Sequence, residues 1–194
     1  MIIWINGAFG SGKTSCAFEL QNRLSQAFIY DPEQMGSFLD KHYPENLRKN
    51  DFQDYPLWRQ ITVATLKELA RTFEGTIIVP MTITNKQYYD DIIGQLVQEN
   101  ISINHFILSA NKETLIRRLN KRFEFGNSWG KQHIDTCIKA FEQDIPGQQI
   151  RTDLMPIETV VERIASLSDL EINPDKRTQL RKYFDRLMIS IRRL

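Results

Sequence analysis

The chain opens on Met1-Ile-Ile-Trp-Ile-Asn-Gly7-Ala8-Phe9-Gly10-Ser11-Gly12-Lys13-Thr14, and the last eight of these residues decide the fold. They match G-x-x-x-x-G-K-[ST] in full. An apolar run over residues 2–5 reads as a buried strand before the loop, and residues 14–24 read as a helix after it. Glycines let backbone N–H groups turn inward around an anion with no side chain in the way. The new helix adds the positive end of its dipole. Gly7, Ala8, Phe9, Gly10, Ser11, Gly12, Lys13 and Thr14 are therefore the expected cradle for ATP. Lys13 would reach the β- and γ-phosphates, and the Thr14 hydroxyl would ligate Mg²⁺. A dinucleotide fingerprint is the rival reading, from Gly10-x-Gly12 with Asp31 about twenty residues on. Its third glycine would fall at Ser15, and Lys13 would have no role, so the phosphate cradle is preferred.

Outward from the loop, short apolar runs alternate with helical patterns. Strands are expected at 27–30, 76–79, 103–108 and 149–151. Helices are expected in pieces over 34–73, broken at Pro44 and near Pro56, and over 86–99, 112–122, 132–143 and 156–167. Asn111 is the expected N-cap of the 112–122 helix. Such alternation implies βαβ units. The expected fold is an α/β P-loop NTPase, nucleotide-kinase-like, with a parallel five-stranded sheet and helices on both faces. Residues 1–168 would form this domain. Residues 168–175 read as a linker, and 174–194 as a C-terminal amphipathic helix.

Net charge is +1 over 194 residues, so no nucleic-acid partner is expected. Cys16 and Cys137 form no CxxC and read as small buried thiols of a reducing compartment. The three histidines show no metal-ligand spacing. Residues 1–5 are too short for a signal peptide or a membrane span, and the expected location is the cytoplasm.

The residues after the third strand are Pro80-Met81-Thr82, with no acid where a Walker B aspartate would stand. The best remaining carboxylate is Asp31, at the end of the second strand. It is the candidate to accept a substrate hydroxyl proton or to hold a Mg²⁺ water, unless it only caps the next helix. Arg118 and Arg122, four apart on one helix face, precede a glycine loop at 124–131 that reads as a mobile lid. They are expected to close over the phosphates. Asp51 and Arg59 are candidates for the acceptor pocket. Thr152 and Asp153, just after the fifth strand, are candidates for the adenine side.

Residues 174–194 hold seven Lys or Arg against two Asp, a net +5. Leu180, Tyr183, Phe184, Leu187, Met188, Ile191 and Leu194 share one helical face, with basic residues opposite. This composition fits an interfacial helix on an anionic membrane, or a terminal helix packed on the domain or on a second subunit.

The segments MIIWINGAFGSGKT, DPE, DFQDYPLWR, IIVPMT, SANKETLIRRLNKR, GNSWGKQHID and DRLM occur in that order. In this collinear set the chain resembles the bacterial tunicamycin-resistance ATP-binding proteins. The resemblance implies a kinase-like fold with ATP on residues 7–14, tunicamycin resistance, and a C-terminal helix that touches the inner face of the cell membrane. Three activities are compatible with it. One is phosphorylation of tunicamycin or a related nucleoside-sugar; the second is ATP-dependent sequestration of the drug; the third is a nucleotide switch acting on a partner.

Overall fold

A computed structural model describes residues 1–121, 126, 128–178, 180–182 and 185. Five parallel strands form one sheet in the order β2-β3-β1-β4-β5. They are β1 (Ile2–Gly7), β2 (Ala27–Ile29), β3 (Thr76–Pro80), β4 (Ile103–Ser109) and β5 (Gln148–Arg151). β1 is central and wholly buried, which is why it reads as an unbroken apolar run rather than an alternating one. Pro80 ends β3, where a missing N–H interrupts no later ladder bond.

Helices cover both faces. α1 (Lys13–Arg23) and α9 (Ile157–Leu167) pack on one face through Cys16, Ala17, Leu20, Val161 and Ile164, against Ile3, Ile5 and Phe106. On the other face, α3 (Pro56–Thr72) sets Trp58 and Leu66 against Trp4, Ile77 and Val79. α6 (Lys112–Asn120) and α8 (Ile134–Gln143) bury Leu115, Leu119, Cys137 and Phe141 over Ile107. α2 (Pro32–His42) follows β2. Both cysteines are buried free thiols.

Four local expectations are revised. The 86–99 helix is α4 (Lys86–Tyr89) and α5 (Gln95–Gln98), joined by a π-helical turn, Asp90–Gly94. The 124–131 loop includes a helical turn, α7 (Trp129–Gln132). Pro156 caps α9 from outside, its fixed φ leading into the first turn. The linker reading of 168–175 is also wrong, because Leu170 and Ile172 pack on the α1–α9 core and Arg23 binds Asn173 O at 2.9 Å. α6 ends at Asn120, so Arg122 lies outside the described residues, as does most of the 174–194 helix. Among the described residues no helix is long and apolar enough to cross a membrane.

Candidate functional site

The loop between β1 and α1 takes its shape from three glycines at positive φ: Gly7 (143°), Gly10 (82°) and Gly12 (102°). A Cβ on Gly7 would lie 2.5 Å from Leu108 O and 2.7 Å from Ser11 Oγ, so alanine does not fit there. Gly12 caps α1 without a side chain, which leaves the first-turn N–H groups facing the loop. Lys13 is 6% exposed, and its Nζ donates to Gly7 O at 2.8 Å and Ala8 O at 3.1 Å. The ammonium is thereby held over the loop. Ser11 Oγ is buried with no hydrogen-bond partner among the described residues. A cradle with a fixed cation and an orphaned hydroxyl fits a polyphosphate.

The loop is pinned from below by Asn6, which is fully buried. Asn6 Oδ1 accepts from Gly7 N at 2.9 Å and Ile83 N at 3.0 Å, and Nδ2 donates to Ile83 O at 3.0 Å. Nδ2 also meets His105 Nε2 at 3.3 Å. Where a Walker B acid would stand, Thr82 donates its hydroxyl to Gly7 O at 3.0 Å. Sequence reading missed this network; a polar Asn at the end of a wholly apolar strand was its one local signal.

Arg118 stands beside the phosphate loop. It reaches Ser11 O at 3.4 Å, Thr152 Oγ1 at 3.0 Å and Thr152 O at 2.6 Å. Thr152 N in turn donates to Ser109 O at 2.8 Å. Arg118 thus ties the loop to the end of β5. The two flank a crevice of about 330 Å³ lined also by Gly10, Gly12, Met155 and Ile157, a size ordinary for small-molecule sites. Asp153 is engaged outside that crevice, accepting from Asn111 N at 2.9 Å and Arg151 Nε at 3.0 Å. Burial raises its carboxyl pKa, but these donors and Thr114 outweigh it and hold the carboxyl below the usual range. A larger cavity, about 420 Å³, opens between α6 and α8. Ala8 alone represents the loop in its wall, and its cations Lys112 and Arg151 are paired with Asp135 and Asp153.

On the opposite side of the loop, Asp31 caps α2 by accepting from Glu33 N at 3.1 Å. β2 is two strand spacings from β1, about 10 Å, room for an acceptor hydroxyl beside a bound phosphate. Asp51 caps a short 3₁₀ turn, Phe52–Asp54, accepting from Gln53 N at 2.9 Å. Burial raises its carboxyl above the usual range against the pull of that N–H; Asp54 and Asp40 add to the rise and His133 opposes it. Arg59 is committed to Asp91 at 2.9 Å and to Gln53 O, and lies 4.3 Å from the Tyr88 ring centre. Thr14 is buried at the start of α1. Among the described residues no three His, Cys, Asp or Glu side chains converge as a metal site. The Thr14 hydroxyl is the group placed to hold a nucleotide-bound Mg²⁺.

No family model matches the chain, and no curated protein sequence does. Solved structures do. The tunicamycin resistance protein of Deinococcus radiodurans superposes with a TM-score of 0.77 at 29% identity, over 90% of this chain and 98% of that one. Shikimate kinase from Bacteroides thetaiotaomicron gives 0.58 at 21% identity, over 88% of this chain and 99% of that one. The Mycobacterium tuberculosis APS kinase, in complex with AMPPNP and APS, gives 0.58 at 16%, over 87% and 96%. The two kinases show the fold alone, and it is the P-loop kinase fold. The chain resembles the tunicamycin-resistance proteins in its fold as well as in its motifs.

Proposed function

From this likeness we propose that the chain is an ATP-dependent phosphotransferase that confers tunicamycin resistance by phosphorylating the drug or a related nucleoside-sugar. The observation that carries the reading is Lys13, seated on the Gly7 and Ala8 carbonyls inside a glycine loop that opens α1. Bound ATP supplies the phosphoryl group, and Mg²⁺ on Thr14 offsets its charge. Lys13 meets the phosphate oxygens as a fixed cation. Asp31 accepts the proton of the acceptor hydroxyl, and Arg122 would add a second cation at the phosphates. Thr152 and Met155 border the base, with Asp153 bracing that loop, while Asp51 and Arg59 shape the acceptor wall. Arg118 holds the loop in its binding form.

One observation favours the second reading, sequestration without chemistry. Asp31 already serves as a helix cap, and Met81 and Thr82 put no carboxylate at the end of β3. Asp31→Asn separates the two, because asparagine caps a helix as well as aspartate and the fold survives. Transfer from Mg·ATP to tunicamycin, read by mass spectrometry as one added phosphoryl group, should fall about 10²- to 10⁴-fold in this variant. Lys13→Ala should abolish both ATP binding and resistance. Full resistance in Asp31→Asn cells, with no phosphorylated drug from either protein, would establish sequestration instead. The working location is the cytoplasm, with 174–194 as a peripheral contact on the inner membrane face.

A further inference from the structure

The sequence holds three tryptophans, and two of them, Trp4 and Trp58, are fully buried. Trp129 is different: it opens α7 with 47% of its surface exposed. Its neighbours locate it. The ring meets Phe9 edge-on, with centroids 5.0 Å apart. Phe9 belongs to the phosphate loop, and its ring lies 5.4 Å from Lys13 Nζ. Trp129 also lies against the His133 ring at 4.1 Å and 32°. His133 Nδ1 binds Trp129 O at 2.8 Å, which fixes the imidazole beside the indole. Two ring contacts thus seat the exposed indole beside the phosphate loop, one to Phe9 next to Lys13 and one to His133.

A large half-exposed aromatic surface at that point is costly to leave in water and well made to receive a flat partner. We propose that Trp129, backed by His133, is the stacking surface for a planar heteroaromatic ring of the acceptor, the nucleobase class. The inference rests on the phosphotransferase reading for its placement and adds the residue that selects the acceptor. Trp129 supplies the ring face.

The test uses the full chain with and without AMPPNP, loading being measured first by calorimetry. Trp129 alone should answer to acrylamide, so protection of its fluorescence reports occupancy of this surface. Uridine should protect it, and methyl glucoside should not. By calorimetry, Trp129→Leu should bind uridine about five- to a hundredfold more weakly, with AMPPNP affinity unchanged. Trp129→Phe should keep most of the affinity, which guards against a folding artefact. The proposal is overturned if uridine binds without protecting the indole, if Trp129→Leu binds it as the parent does, or if uridine does not bind at all. Protection by methyl glucoside alone would also overturn it, assigning the surface to a sugar face. Failure of AMPPNP to bind would count against the phosphotransferase reading and leave the uridine arm to be judged without nucleotide.

Discussion

Asn6 uses its whole side-chain hydrogen-bonding capacity beneath the phosphate loop, on Gly7, Ile83 and His105. Its contact with His105 requires a neutral imidazole whose Nε2 accepts from the amide. Burial lowers the His105 pKa from 6.5 to about 4, so the ring is neutral across the physiological range. In the unfolded chain the ring takes its proton near 6.5. Between those values the unfolded state binds more protons, and folding stability falls as the pH falls. The loss approaches about 3 kcal/mol by pH 4. Glutamine at 105 can still accept from Asn6 and does not titrate. Urea denaturation of the parent and His105→Gln at pH 7, 5.5 and 4.5 should show their stability difference shifting in favour of the variant as the pH drops. Parallel profiles would mean that His105 is not protonated on unfolding. The sequence reveals His105 only as a histidine without metal-ligand spacing. Its partner is 99 positions away, and no local pattern joins the two.

Among the elements, the ones that were legible carry their reason locally. β1 is an apolar run ended by a glycine loop, and Asn111 caps α6 by accepting from Thr114 N at 2.8 Å. Arg118 was legible as a cation on a helix beside the loop; its target was not, because Thr152 arrives from β5, 34 residues on. The peptide plane explains its effect. Holding Ser11 O toward α6 turns the N–H of Gly12 the other way, toward the interior of the loop. Arg118→Ala should therefore weaken ATP binding by about tenfold, the worth of one charged hydrogen bond. Lysine should not restore it, since one ammonium lacks the fork that spans Ser11 and Thr152. Calorimetry with AMPPNP reads this directly. Unchanged affinity with slowed transfer would assign Arg118 to the moving phosphoryl group instead.

At the scale of the whole molecule, the chain after α9 is built into the domain by charge. Arg177 binds Glu19 of α1, Asp175 at 2.9 Å and Asp185 at 3.1 Å. Lys182 binds Asp175 at 2.9 Å and approaches Glu158 of α9 at 3.7 Å. Glu19 is nearly inaccessible, on the helix whose first turn is the phosphate site, and Arg177 is 158 residues away in sequence. Composition shows a basic, amphipathic tail but not that Arg177 and Lys182 already meet acids, Glu19 and Glu158 of the domain among them. A membrane contact through 174–194 must then draw on the residues beyond these pairs. Arg177→Ala leaves Glu19 a buried charge without this partner and should cost about 3 kcal/mol, read as a lower thermal midpoint. If the proposed membrane contact holds, removing 186–194 should abolish sedimentation with anionic vesicles. A shortened chain that still sediments would place the membrane contact elsewhere, and an Arg177 variant that melts with the parent would mean that the Glu19 pair does not hold this segment to α1.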